Sequence, residues 1–188
     1  MKKSILAIVV ILFSISVVYA QTQIGDFSFR PQENALMVLL IVDGKPFVGT
    51  FEGKINGKSM EFKREGATVV INDGQLSDAE MRLIESGIDL AVSALSRGKY
   101  EMPEMSLKIK AEGKTLVAIV ESQSGGASFE GKFEGTINGE PLEFKQDTGG
   151  ATVINDGKLS DNEIKTIVRG YGMMKSLFGL TTPGMLVK

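Results

Sequence analysis

The sequence contains no cysteine, no histidine and no tryptophan among its 188 residues. Without cysteine there is no disulfide and no thiolate chemistry, so the stability of the fold must come from packing alone. Without histidine as well, the Ser-His-Asp and Cys-His triads and the ordinary zinc sites are excluded. An enzyme built from this chain would have to work with carboxylates, lysine or tyrosine.

The first twenty residues have the organisation of a secretory signal peptide. Lys2 and Lys3 form a basic head, residues 5–18 form an apolar run, and Val18 and Ala20 are the small side chains of a cleavage site. The apolar run is shorter than the roughly 20 residues that a membrane-spanning helix needs. We therefore expect an exported protein, periplasmic or secreted, with no membrane span after the signal is cleaved.

Charge argues against two classes of partner. Two of the 21 basic residues lie in the segment 1–20, so the mature chain keeps 19 basic against 23 acidic side chains, a net charge of −4. Nucleic acids and anionic membrane surfaces require a concentrated basic surface, which this balance does not favour. No glycine-rich phosphate loop stands before a predicted helix, and we expect no cofactor.

Two segments of the sequence recur, which predicts an internal repeat. Residues 51–63 recur at 133–145 with 9 of 13 positions identical, and residues 72–80 recur at 155–163 with 7 of 9 identical. Each copy has about five short strand patterns followed by one amphipathic helix. The sequence therefore predicts an α+β fold, a tandem duplication of an antiparallel sheet plus one helix.

The predicted organisation has five parts. They are a signal peptide at 1–20, a first repeat at 21–98, a linker at 99–104, a second repeat at 105–180 and a C-terminal tail at 181–188. Whether the two repeats form separate sheets or share one is open at this point.

Both copies carry the same turn and cap signals. An Asn-Gly pair in each predicts a two-residue hairpin loop, because both residue types tolerate positive φ. A serine followed three residues later by glutamate predicts a capping box at each helix start. These signals are Asn56-Gly57 and Asn138-Gly139 for the loops, and Ser77 with Glu80 and Ser160 with Glu163 for the caps.

A glycine also recurs inside each helix, at Gly87 and Gly170. A mid-helix glycine costs about 1 kcal/mol relative to alanine. We therefore predict a close approach at both positions, either of helix on sheet or of helix on helix.

Paired carboxylates are the first candidate site. Two-residue loops would place Glu52 opposite Glu61 and Glu134 opposite Glu143 across their hairpins. One interpretation is a solvated ladder of mixed charge, since lysines flank both pairs. The functional interpretation is a contact with a partner or cation, or a retaining-glycosidase pair with carboxyls about 5–5.5 Å apart.

The Asn-Asp-Gly-x-Leu-Ser-Asp-x-Glu segments resemble the second half of an EF-hand calcium loop. That resemblance implies calcium ligands at Asp73 and Glu80, and at Asp156 and Glu163. The first loop position would be Val69 or Thr152 and the third an isoleucine, where carboxylate or amide oxygens are needed. A tight Asp-Gly turn leading into a capping box explains the same residues without a metal.

Phenylalanine and methionine supply the predicted interior. Such residues form either a packed core or the lining of a cavity for an apolar ligand. The sequence thus favours an exported, non-enzymatic binding module that engages a protein partner through the sheet faces of two repeats. The alternatives are a periplasmic carrier of a small apolar or lipid ligand and, less favoured, a carboxylate-based hydrolase.

Overall fold

The computed structural model describes residues 26–178. The predicted signal peptide and C-terminal tail lie outside the described residues. Within 26–178 no helix is both long and apolar enough to cross a membrane. This part of the chain has an α+β fold with a large antiparallel sheet and two main helices, as the sequence predicted.

The described segment contains twelve strands, several of them very short, and two helices of three turns or more. The strands are β1 (Phe27–Gln32), β2 (Ala35–Val42), β3 (Lys45–Ile55), β4 (Lys58–Ser59), β5 (Phe62–Glu65), β6 (Thr68–Ile71), β7 (Met105–Glu112), β8 (Thr115–Ser122), β9 (Ser128–Ile137), β10 (Glu140–Pro141), β11 (Phe144–Gln146) and β12 (Thr152–Ile154). The helices are α1 (Asp78–Leu95), α2 (Asp161–Gly172) and the four-residue α3 (Met174–Leu177). A 3-10 turn precedes α1 at Asn72–Gly74 and α2 at Asn155–Gly157.

One central sheet takes strands from both halves of the chain. Its order is β1-β2-β3-β9-β8-β7, with β4 paired to β3 and β10 paired to β9. The antiparallel β3–β9 pair joins the halves, and Phe51 lies directly opposite Phe133 in it. Two hairpins, β5–β6 and β11–β12, form separate two-stranded sheets.

The alternation predicted for the third strand is confirmed. In β3 the side chains of Phe47, Phe51 and Ile55 are buried, whereas Glu52 and Lys54 are exposed. Successive side chains of a strand point to opposite faces, so one face of the sheet meets the core and the other faces away from it. The core lies between the first face and the helices.

Each main helix packs on strands of the other half of the chain. Helix α1 lies over β8 and β9, and α2 lies over β2 and β3. A Cβ atom added at Gly87 would come closer than 3.0 Å to the ring of Phe129, and one at Gly170 equally close to the ring of Phe47. The predicted close approach is confirmed, and it is of helix on sheet.

Tyr171 completes the core beside this contact. Its ring packs edge-on against Phe47 and Phe133, with ring centroids 5.1 and 5.5 Å apart. Its hydroxyl donates a 2.6 Å hydrogen bond to the carbonyl oxygen of Glu134. A buried tyrosine with a satisfied hydroxyl supplies aromatic packing without leaving a polar group unpaired.

Turn and cap predictions are confirmed in both halves. Asn56 and Asn138 have positive φ, as does the glycine that follows each of them. Ser77 and Ser160 cap α1 and α2, and each forms a full capping box with the glutamate three residues on.

The hairpin at each Asn-Gly turn ends before it reaches the glutamates that were predicted to lie opposite each other. The last hairpin hydrogen bonds come directly after the short strands β4 and β10, from the Met60 amide to the Gly53 carbonyl and from the Leu142 amide to the Gly135 carbonyl. Beyond them the Phe62 amide donates to the carbonyl of Glu33, and the Glu61 amide donates to Oδ1 of Asn72 at 2.8 Å. The chain leaves the hairpin because the Phe62 amide, which would bond β3 next, is satisfied by Glu33 instead.

We predict that Gly87→Ala and Gly170→Ala each lower the free energy of unfolding by about 1–3 kcal/mol, the usual cost of overpacking a core. The measurement is urea unfolding of each variant beside the wild-type protein. In an unobstructed helix the same change would stabilise by up to about 1 kcal/mol.

Gly172→Ala is the matched control, because a Cβ atom there would meet nothing within 4 Å. We expect this variant to be neutral or slightly more stable than the wild type. Equal effects at positions 87, 170 and 172 would contradict the packing explanation.

Candidate functional site

The predicted carboxylate pairs are not formed. Glu52 lies between Ala35 of β2 and Lys132 of β9, so its direct neighbours across the sheet exclude Glu61. The Glu61 amide is held by Asn72 near the start of the 3-10 turn. The hairpin on which the pairing depended makes its last hydrogen bond at Met60, whose amide donates to the Gly53 carbonyl.

The second predicted pair fails for the same reason. Glu134 lies opposite Thr50 of β3, and its Oε1 accepts a 2.6 Å hydrogen bond from the hydroxyl of Thr115. The hairpin makes its last hydrogen bond at Leu142, and the next ladder amide, that of Phe144, donates to the Gly113 carbonyl instead. Neither pair is therefore an arrangement of two opposed carboxyls of the kind that a retaining glycosidase uses.

Opposite charges face each other across the central strand pair β3–β9. Glu52 pairs with Lys132, and Lys54 pairs with Glu130, directly across β3 and β9. A shallow pocket of about 50 Å³ lies among these four side chains. Opposite charges across a strand pair stabilise a sheet modestly, which favours the mixed-charge ladder over a catalytic pair.

Two of the predicted calcium ligands are held by lysines. Lys63 forms an ion pair with Asp73, and Lys145 forms the corresponding pair with Asp156. The hydrogen bond from Lys145 and its charge hold the pKa of Asp156 below its usual range. Both aspartates adopt positive φ within their 3-10 turns, so they also shape the chain just before each helix.

The other two predicted ligands cap the helices. Oε2 of Glu80 accepts from the amide and hydroxyl of Ser77, at 2.9 and 2.8 Å, while Oε1 accepts from the Asn56 side chain at 2.8 Å. Glu163 makes the same contacts with Ser160 and Asn138. Each glutamate therefore ties the Asn-Gly turn of its half to the helix start.

These contacts explain the recurring residues without a metal. In residues 26–178 no three acidic side chains come together as a group that could hold a metal ion. The preceding strands β6 and β12 also supply the isoleucines of the third loop position to the core, since Ile71 and Ile154 are buried. The segments that resemble a calcium loop act here as turn and cap.

Tyrosine chemistry is blocked at Tyr171. Burial, reinforced by the Glu134 charge, raises the pKa of its hydroxyl well above the usual range. The group stays protonated and donates to a backbone carbonyl. It is a core residue rather than an acid or base for catalysis.

The face of the central sheet that points away from the helices is the best candidate surface, and we call it the open face. On it four partly exposed apolar side chains form an apolar strip across β2 and β3, with Leu39 opposite Val48. The strip consists of Met37, Leu39, Ile41 and Val48. Arg30 lies opposite Met37 on β1, and Thr50 lies opposite it on β3.

The second half presents a different surface at the corresponding place. Ile119 of β8 lies between Lys108 and Glu130, and Val117 lies between Lys110 and Lys132. Val117 is only 8% exposed, as expected where the aliphatic stems of lysines cover an apolar side chain. The apolar strip is therefore a feature of the first half alone.

The sequence itself carries a signal for the strip. All eight residues of β2 (Ala35–Val42) are apolar. An antiparallel strand with one face exposed ordinarily alternates apolar and polar residues, so an unbroken apolar run predicts apolar side chains on both faces. The glutamates stood out in the sequence because they recur, yet most of the recurring contacts support the fold.

We predict that capping makes stability fall at acid pH. Hydrogen bonds from Ser77 and Ser160 lower the pKa values of Glu80 and Glu163 below their ordinary 4.5. A lowered folded-state pKa contributes stability that is present above the ordinary value and is lost as the pH falls through the lower one.

The double variant Glu80→Gln/Glu163→Gln should melt below the wild type at pH 7, and the difference should shrink towards pH 3. Thermal melts across this range measure it, with exposed Glu65→Gln as the control. A difference that stays constant from pH 7 to pH 3 would contradict the role of the ionised caps.

Comparison with known proteins gives no relative. No protein-family model, no curated protein and no solved structure matches the chain. The functional conclusions below are drawn from the residues and surfaces of this chain.

Proposed function

We propose that this chain is an exported, non-enzymatic binding protein that holds a protein partner on the open face of its sheet. The observation that carries the proposal is the partly exposed apolar strip, Met37, Leu39, Ile41 and Val48, on the face opposite the helices. Exposed contiguous apolar patches rimmed by polar groups are typical of interaction sites.

The rim of the strip is polar and charged. Arg30 and Thr50 flank Met37 on its two sides, and the Glu52–Lys132 pair lies one step further along the strands. An apolar centre with a charged border is the usual anatomy of a protein–protein interface. The border would orient a partner, and the strip would supply most of the affinity.

We also infer that the chain is a tandem duplication of one sheet-plus-helix unit. The recurring segments support this, and so do the matching turn, cap and glycine contacts of the two halves. The turn, cap and mid-helix glycine residues are the same in both copies, whereas the open face differs between them. Such a pattern fits a framework constrained by folding and one surface adapted to a partner.

The packing of the interior does not favour the alternative of a carrier, which depended on phenylalanine and methionine lining a cavity. Phe51 packs against Phe62 and Phe133 with ring centroids 5.7 and 5.1 Å apart, and all three rings are buried. These phenylalanines fill the core with one another instead of lining a cavity for an apolar ligand.

The test places a photo-reactive amino acid at position 39 in the full-length protein expressed in its host. We expect one cross-linked adduct of defined mass. Position 119 is the matched control, because it occupies the corresponding site of the second half between charged neighbours.

Competition makes the test specific to the strip. Excess unlabelled wild-type protein should suppress the adduct at position 39, whereas a Leu39→Lys/Val48→Lys competitor should not. Its melting temperature checks that this competitor is folded. No adduct, equal adducts at 39 and 119, or equal competition by both proteins would contradict the proposal.

A further inference from the structure

A second surface, independent of the open face, lies on the helix side of the sheet. There a groove of about 500 Å³ opens between the first turns of α1 and the connection from β8 to β9. Its apolar lining includes Leu83, Met105 and Ala127. Small-molecule sites in proteins have volumes of about 300–1,000 Å³ and mostly apolar walls with a few polar groups.

The groove lies where the two halves of the chain differ. Between β2 and β3 the chain turns through Asp43 and Gly44 alone, whereas residues 123–127 connect β8 to β9. Gly125 and Gly126 have φ values of +84° and +100°. Such φ values are readily accessible only to glycine, so the shape of the longer connection depends on these two residues.

Two side chains of opposite charge line the groove. Arg82 projects from α1, and Glu104 belongs to the segment before β7. Both are exposed, and neither forms an ion pair with another residue in the described part of the chain. The groove therefore offers one cationic and one anionic group beside an apolar wall.

We propose that this groove binds a small zwitterion with apolar side chains, of about dipeptide size. The carboxylate of the ligand accepts hydrogen bonds from the Arg82 guanidinium, and its ammonium group donates to the Glu104 carboxylate. The apolar side chains lie against Leu83, Met105 and Ala127. Guanidinium–carboxylate contacts are among the stronger hydrogen bonds in proteins because both groups are charged.

Polar groups for the middle of such a ligand are present as well. Ser122 and Ser124 line the same groove, and their hydroxyls lie 2.8 Å apart in a hydrogen bond with each other. Each hydroxyl has both donor and acceptor capacity, so that one contact leaves further capacity for a peptide group. This favours a dipeptide over a fatty acid, which has one charge and no central polar group.

Isothermal titration calorimetry of the mature protein, residues 21–188, with leucyl-leucine tests the proposal. We expect saturable binding of the unblocked dipeptide and at least about ten-fold weaker binding of the N-acetylated, C-amidated form, which lacks both charges. Octanoate, which keeps the carboxylate alone, should also bind about ten-fold more weakly.

Single variants locate the site. Arg82→Gln and Glu104→Gln should each weaken binding of leucyl-leucine by about ten-fold, because each removes one charged contact. Lys165→Gln is the matched control, since Lys165 stands at the corresponding position of α2, where the adjoining turn is short. This control should bind as the wild type does.

Three results would overturn the proposal. They are the absence of saturable binding of leucyl-leucine up to millimolar concentration, equal binding of the blocked form, and an equal loss in the Lys165→Gln control. The wild-type titration gives an answer even if one of the variants is poorly folded.

Discussion

The structure depends on two aromatic rings, each of which packs against a glycine in the middle of a helix. The Phe129 ring lies against Gly87 of α1, and the Phe47 ring lies against Gly170 of α2. Any side chain at either glycine would occupy the space of the ring. Because the rings come from β9 and β3, each helix is tied to strands of the other half, and the two helices cover the same face of the central β3–β9 pair.

This arrangement couples the two halves of the chain. The α1 helix completes the core over β8 and β9, so the second half has no helix of its own over those strands. The Lys175–Asp89 ion pair, at 2.8 Å, adds a contact between α3 and α1 near the same place. We therefore regard the halves as parts of one cooperative unit, although each carries its own turn and cap signals.

Local features of the fold could be predicted from the sequence. The Asn-Gly loops and the capping boxes at Ser77 and Ser160 are determined by backbone preferences within a few residues. The mid-helix glycines allowed a prediction as well. Glycine lowers the stability of a helix relative to alanine, so its presence there implies a packing reason. The glycine pattern allowed a contact of helix on sheet or of helix on helix, and the structure has the first.

Long-range features could not be predicted in this way. The β3–β9 pair joins residues about eighty positions apart, such as Phe51 and Phe133, and no local signal specifies that partner. Another pairing of β3 invalidated the carboxylate prediction, because Ala35 of β2 rather than Glu61 lies beside Glu52 on the edge of β3 that also pairs with β4. Extrapolating a hairpin register fails where another acceptor, here the Glu33 carbonyl, takes the next ladder amide, that of Phe62.

The candidate sites also differ in how well they could be predicted from the sequence. Residues that recur in both halves were the natural choice for a site, yet Glu80 and Glu163 hold turns to helices and Asp73 and Asp156 pair with lysines. The two candidate surfaces lie instead where the halves differ. One is the apolar strip of the first half, and the other is the groove beside the longer β8–β9 connection.

Native-state hydrogen exchange tests the coupling of the halves most directly. The Val38 amide in β2 and the Ala118 amide in β8 lie in strands of the central sheet from different halves, and both side chains are fully buried. If the helices tie the halves together, both amides should exchange only through global unfolding, with equal free energies and equal dependence on denaturant. A clearly lower free energy for either amide would show that one half opens independently and would contradict this description.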